Sequence, residues 1–329
     1  MDNQNDGKLR LMYLYKILNE QTDEEHPLST VQLIEILEKR YGQHTYRTTI
    51  AKDIELLIRF GIDVCTIKST QNKYYIASRL FSLPELELLI DATLSSKFMT
   101  IKKSKALIEK LGTLASVNQA ESLKRNIYTE GRIKADNERI YEIVNTINEA
   151  INAGRKISFQ YFQYNVRKEP QLRHNGEIYT FSPYSLVWNG DYYYTVGYSD
   201  KYSNIGSFRV DRIYQCPKVL KEPAQPEPED FDIIKYINTM FRMFSSERQQ
   251  VELICDNSLM DAIIDRFGKE VTTYAYDMKA FRVVVDIAVN HVFYSWVFGF
   301  MGKVKINAPQ DVKGKYLEII KSAYKEANC

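Results

Sequence analysis

At Gly154 the spacing of apolar residues changes from helical to alternating, and this switch limits the fold more than any other feature of the chain. Before it, apolar residues recur three and four apart, the period of one helical face. After it, Ile157, Phe159 and Tyr161 alternate with Ser158, Gln160 and Phe162, the period of a strand with two unlike faces. An all-helical or all-strand chain is thereby excluded. A second break is compositional: from Glu222 to Asp232, Pro223, Pro226 and Pro228 stand among acidic residues, which predicts an extended linker. The expected architecture is α+β and multidomain, divided at 1–79, 80–154, 155–222, 223–245 and 246–329.

The first part reads as three helices and a hairpin. Leu9, Met12, Tyr13 and Ile17 form the stripe of the first helix. Ser29 and Gln32 make a capping box that opens the second, with Leu33, Ile34, Leu37 and Tyr41 inward and Gly42 as its stop. A third helix is predicted over about 45–60, with Ile50, Ile54, Leu57 and Ile58 on one face. Short strands follow at 64–68 and 73–76. In the helical part, Ser82 and Glu85 form a second capping box, and Leu86, Leu89, Ile90 and Leu94 give the stripe. A basic helix then carries Lys102, Lys103, Lys105 and Lys110, with Leu107 and Leu111 inward. The last helix, with Ile140, Val144, Ile147 and Ile151, ends at Gly154.

From Lys156 the pattern predicts strands there and at 178–188, 191–198, 205–212 and 214–220, enough for a small antiparallel barrel. Asn189-Gly190 marks a two-residue hairpin turn with positive φ at both positions. Beyond the linker, a strand at 250–255, a helix at 258–267, strands at 271–276 and 281–289, a helix at 291–300 and a strand at 303–306 follow the βαββαβ order of a ferredoxin-like sandwich. A helix at 311–327 closes it.

Lys plus Arg (44) against Asp plus Glu (42) leaves a net charge of +2, so affinity for polyanions must come from a local patch. The longest apolar run, Val292 to Met301, is short of the roughly 18 residues that span a bilayer. The polar start lacks the apolar core of a secretion signal, so a cytoplasmic protein without membrane contact is expected. Cys65, Cys216, Cys255 and Cys329 form no CxxC pair and read as small apolar fillers and one exposed tail thiol. His26, His44, His174 and His291 are isolated, and no HExxH, GxSxG or P-loop pattern occurs. The expectation is a protein with neither catalysis nor cofactor.

Three helices and a hairpin match a winged helix-turn-helix, whose recognition helix enters the major groove. Lys39, Arg40, Arg47 and Lys52 lie in a stretch without an acid, suited to phosphates. Helical phasing points Thr48, Thr49, Lys52 and Glu55 outward and sets Arg47 nearer the buried side, as a phosphate contact from the helix start. A solvated face that lacks acids would give the same composition. The candidate DNA contacts are Lys39, Arg40, Thr45, Tyr46, Arg47, Thr48, Thr49, Lys52 and Lys73.

The stretch Arg47-Thr48-Thr49-Ile50-Ala51-Lys52-Asp53-Ile54-Glu55-Leu56-Leu57, with Gly61 after it, resembles the recognition helix of bacterial transcription regulators that carry a WYL domain. Thr48 stands where that family has the second of two basic residues. Ile157-Ser158-Phe159-Gln160-Tyr161 and Pro183-Tyr184-Ser185-Leu186 resemble two of its strand motifs. Tyr193-Tyr194-Thr195-Val196-Gly197-Tyr198 falls at the naming triplet, of which only the tyrosine is kept, and Phe208-Arg209-Val210-Asp211-Arg212-Ile213 is similar to the closing strand. The resemblance extends to a C-terminal extension around Trp296. It implies a Sm- or SH3-like barrel that senses a nucleotide, nucleic acid or other anionic effector. Its candidate ligand residues are Tyr161, Tyr184, Tyr194, Arg209 and Arg212. Two arginines three apart on a strand face opposite ways unless the strand bends or ends between them, and Asp211 is expected to serve one of them. The whole reads as a homodimeric regulator of a double-stranded DNA operator. The alternative is an accessory protein whose barrel binds single-stranded nucleic acid and modulates a partner protein.

Overall fold

The structure, a computed structural model, describes residues 3–125, 134–239 and 248–328. They divide into two compact units, Met1–Glu138 and Arg139–Cys329. Cys329 and residues 240–245 of the expected connector lie outside the described residues.

The first unit begins with α1 (Asn3–Gln21), β1 (Leu28–Ser29), α2 (Thr30–Tyr41), α3 (Arg47–Phe60), β2 (Val64–Ile67) and β3 (Lys73–Ile76). The capping box of α2 forms as expected: Gln32 N donates to Ser29 Oγ, and Ser29 N donates to Gln32 Oε1. Gly42 ends the helix in the left-handed region at φ 64°, where a glycine has no Cβ to clash. The three strands are antiparallel in the order β1-β3-β2. Leu14, Ile17, Leu18, Leu33, Leu37, Ile50, Ile54 and Leu57 fill the core. Two stripe assignments are corrected: Leu9 and Met12 of α1 and Ile58 of α3 are exposed. α1 is apolar on two faces, and Leu14 and Leu18 take the inner one.

Then come α4 (Leu83–Ser95), α5 (Ile101–Gly112) and α6 (Val117–Arg125), held by Leu86, Ile90, Leu94, Ile108 and Leu123. Glu85 closes the expected cap on Ser82 N at 2.8 Å. Leu89 is exposed, and Ile108 is the buried apolar residue of the basic helix, with Leu107 and Leu111 half-buried beside it. Asp23, just after α1, is the polar hub of the unit. It is 4% exposed and accepts from the hydroxyl of Ser116, the N-cap of α6, and from the backbone N–H of Glu25 and His26 at 3.1 and 3.0 Å. His26 Nδ1 lies 2.7 Å from the same carboxylate. Burial alone would raise the pKa of Asp23, but the hydrogen bonds from Ser116 and His26 and the charge of His26 outweigh it and hold it below the usual carboxylate value.

The second unit opens with α7 (Ile140–Asn152), β4 (Arg155–Gln160), β5 (Phe162–Tyr164), β6 (Pro170–Leu172), β7 (Ile178–Asn189), β8 (Tyr192–Ser199), β9 (Asn204–Arg209) and β10 (Lys218–Pro223). The order β10-β4-β7-β8-β9 makes one antiparallel sheet. β9 and β10 are its opposite edges, and a short 3-10 turn at 210–212 starts the crossing between them. The predicted strands at 205–212 and 214–220 are therefore corrected, because the chain leaves the sheet after Arg209 and rejoins it at Lys218. α7 packs on β4, β7 and β10 through Ile140, Ile143, Ile147 and Ala150. It thus stands with this sheet, not with the helices placed before it at 80–154.

Two glycines show how the sheet is shaped. The β7–β8 turn is made by Gly190 and Asp191, between paired Asn189 and Tyr192. Gly190 alone of the two has positive φ, at 58°, so the expected Asn189-Gly190 turn is shifted by one residue. A Cβ on Gly197 would sit 2.1 Å from Ser182 O and 2.9 Å from Pro183 Cα. No side chain fits there, next to a bulge in β7 between Pro183 and Ser185.

Beyond β10, the Pro-rich stretch is docked rather than free. Ala224 N donates to Gly154 O, Gln225 N to Ser182 Oγ at 2.9 Å and Tyr184 OH to Pro226 O at 3.1 Å. α8 (Ile233–Thr239) then buries Tyr236 against Val187, Tyr194, Val196 and Ala288. The chain continues as β11 (Arg248–Asp256), α9 (Met260–Phe267), β12 (Thr273–Ala275), β13 (Ala280–Ala288), α10 (His291–Gly299), β14 (Val304–Ala308) and α11 (Gln310–Ala327). Its antiparallel sheet has the order β12-β13-β11-β14. Val251, Leu253, Val283, Ile287, Phe293 and Val297 lie in its core. No helix is long and apolar enough to cross a membrane among the described residues.

Candidate functional site

α3 starts at Arg47, with Tyr46 as an N-cap that offers no side-chain hydrogen bond. Thr45 and Tyr46 therefore precede the helix, which was expected to include them. Tyr46 is 80% exposed, and Thr45 is half-buried, with its hydroxyl lacking a partner. Arg47, Thr48, Lys52 and Glu55 are exposed and Thr49 is half-buried. Arg47 thus points outward, against the phasing argument. Asp53, the other acid of α3, is turned inward, where Arg10 Nε holds it at 2.7 Å.

The structure divides the four cations. Lys39 pairs with Glu35 at 3.3 Å, and Arg40 pairs with Glu20 at 3.5 Å. Helical spacing brings Glu35 onto Lys39, and the packing of α1 beside α2 brings Glu20 onto Arg40, so a stretch without acids in sequence is not without them in space. Arg47, Lys52 and the exposed Lys73 of β3 have no ion-pair partner among the described residues. The α3 surface therefore presents two solvated cations and hydroxyls at an uncapped helix start, where free backbone N–H groups favour anions.

In the five-stranded sheet, alternation sends Phe208 into the core with Phe159, Tyr161, Tyr179 and Phe181. Arg209 goes to the other face, where its guanidinium lies 3.3 Å from the centroid of the Tyr192 ring. The strand ends there. Arg212, on the 3-10 turn, swings back to the same carboxylate: Arg209 Nε and Nη2 donate to Asp211 at 3.1 and 2.7 Å, and Arg212 Nε stands 3.8 Å from it. Asp211 thus serves both arginines, and the expectation that they separate to opposite faces is corrected. Burial acts to lower the pKa of Arg209, but Asp211 more than offsets it and raises it.

Arg212 covers the rings of Tyr164 and Phe162 at 4.5 and 5.5 Å. Its side chain is 24% exposed and makes no hydrogen bond among the described residues. Tyr161 is buried, which pushes its phenol far up, and its hydroxyl accepts from Arg209 N at 3.1 Å. Tyr194 is cross-strand to Arg209 and buried under α8. Tyr184 does not join Tyr161. As the extra residue of the bulge it turns toward Pro226 and the Phe231 ring, 6.0 Å away. Sequence reading missed Tyr192, Tyr164 and Arg173; the last stands 5.8 Å from the Tyr161 ring. Tyr192 is two residues before Tyr194 on the same strand face, a signal that alternation offered.

Among solved structures, the chain is similar to the proteasome accessory factor B/C (PafBC) of Arthrobacter aurescens, at 16% identity and a TM-score of 0.30, over 99% of this chain and 48% of that one. The chain therefore spans about half the length of PafBC. It is also similar to a CRISPR Cas-related protein, at 12% identity and a TM-score of 0.38, over 94% of this chain and 97% of that one. No curated protein matches. Residues 142–217, which hold four of the five strands of the sheet and its arginine cluster, match the WYL domain model, and the chain carries a WYL domain.

Proposed function

We propose that the chain is a ligand-responsive, DNA-binding transcriptional regulator. Residues 3–79 act as a winged helix-turn-helix, α3 lies in the major groove and the β2–β3 hairpin is the wing. The five-stranded sheet acts as a barrel that senses an anionic effector, a nucleotide or nucleic acid, and the C-terminal sheet is a ferredoxin-like extension. The observation that carries this reading is the exposed face of α3, with Arg47 and Lys52 unpaired and Asp53 turned away. Arg212 is the ligand anchor, since it meets Asp211 only at 3.8 Å, without a hydrogen bond, and a quarter of its side chain meets solvent. Arg209 is the clamp that orders Asp211.

A single such helix offers few phosphate contacts for tight binding at physiological salt. The regulator is therefore a homodimer on a near-palindromic operator, cytoplasmic and without catalysis. A band-shift on the DNA upstream of its own gene tests the reading, with light scattering for the dimer. A retarded band that short oligonucleotides alter supports it. No retardation at low salt overturns it.

A further inference from the structure

The turn after β6 is unusual. His174, Asn175 and Gly176 follow one another at φ 48°, 55° and 83°, three left-handed residues in a row. Such backbone is strained at a non-glycine residue and persists only where the surroundings enforce it. Here Gln160 Nε2 donates to Gly176 O at 2.6 Å and Glu177 N to His174 O at 3.1 Å. A Cβ on Gly176 would meet Gln160 and Leu172.

The result is to hold Arg173 at the start of the turn. Its N–H donates to Tyr161 O at 2.8 Å, and its guanidinium lies 5.8 Å from the Tyr161 ring. The side chain is half-buried and has no carboxylate or hydrogen-bond acceptor among the described residues. The nearby carboxylates are committed: Glu177 to Lys201, and Asp211 to Arg209 and Arg212. On its other side Tyr161 bridges to Ile213, the neighbour of Arg212. Tyr161 therefore runs between the backbones of Arg173 and Ile213, which puts those two about two strand spacings, roughly 10 Å, apart. A half-buried guanidinium that meets only a ring face, and no carboxylate among the described residues, is suited to receive an anion.

We propose that Arg173 is a second anion subsite of the sheet, separate from Arg212, so that the effector is an oligonucleotide with at least two phosphates rather than a mononucleotide. This rests on reading the Arg212 cluster as a ligand site. Calorimetry on the full chain compares thymidine 5′-monophosphate with a 5′-phosphorylated thymidine dinucleotide. The wild type is expected to bind the dinucleotide about tenfold or more tightly, the scale of one charge-assisted contact. Arg173→Ala removes that preference and leaves monophosphate affinity within about twofold, whereas Arg212→Ala weakens both probes. Arg173→Lys, which keeps the charge, restores part of the preference, and thermal melts confirm that each variant is folded. Equal probe preference in wild type and Arg173→Ala overturns the second subsite alone. Failure of the wild type to bind either probe overturns the reading of the cluster and this inference with it.

Discussion

The surface of α3 and the arginine cluster of the sheet both present cations, but they handle charge in opposite ways. On α3, Arg47 and Lys52 stand in solvent, and the one Arg–carboxylate pair, Arg10–Asp53, is hidden behind the helix. In the sheet the cations are themselves paired: Arg209 and Arg212, about as exposed as Arg10, share the buried Asp211, and each lies on an aromatic ring. Solvated cations suit a long polyanion, whose binding is driven by counterion release and tolerates imprecise geometry. Stacked and clamped guanidiniums suit a small ligand met at fixed angles.

The largest test of this contrast is Asp211→Ala. It leaves two partly buried guanidiniums unpaired and should destabilise the second unit by about 3–5 kcal/mol in urea unfolding. A loss below about 1 kcal/mol would put Asp211 in the class of exposed surface pairs. Arg10→Ala strands Asp53 and should cost about 2–4 kcal/mol in the first unit. Operator affinity of the folded fraction should change little, because Asp53 lies on the side of α3 away from the exposed Arg47 and Lys52.

Acid tests the first unit further. The folded pKa of Asp23 is depressed, so its contribution to stability is full above the unfolded carboxylate value, about pH 4, and is lost as pH falls toward the folded value. Ser116→Ala should cost about 1 kcal/mol at neutral pH and narrow the window of acid loss. An unchanged acid melt would show that Ser116 does not govern Asp23.

Smaller effects sort the cations of the proposed DNA face. Lys52→Ala should weaken binding to all sequences and lower the salt slope by about one unit. Lys39→Ala should do less than half as much, because Glu35 already neutralises Lys39. Equal effects in a salt titration would mean that the Lys39 pair opens on DNA and that the division of the cations fails.

What could be read in advance was mostly local. The capping boxes at Ser29 and Ser82 form where the sequence puts them, since a cap needs only residues three apart. What could not be read depended on distant partners. The bulge that diverts Tyr184 arises where β7 meets Gly197 of β8. The docking of the Pro-rich stretch relies on Ser182, Gly154 and the pocket that takes Tyr236. Glu35, four residues before Lys39 on the same helix, was legible in the string, whereas Glu20 reaches Arg40 only through the packing of α1 on α2. The arginine pair was found by its motif, but its shared carboxylate follows from a strand ending one residue after the core Phe208.

The Asp23–Ser116 contact bears on how freely evolution can shuffle this chain. An N-terminal head that ended at residue 79 would leave behind the hydroxyl that satisfies its buried carboxylate. It would then carry an under-satisfied anion at the end of its first helix, a defect that water would have to enter to repair. A graft of the head onto another domain should therefore succeed most readily when the junction falls after α6. The part that keeps Asp23 satisfied is the head together with the helices behind it, and the three-helix motif alone is a fragment of that part.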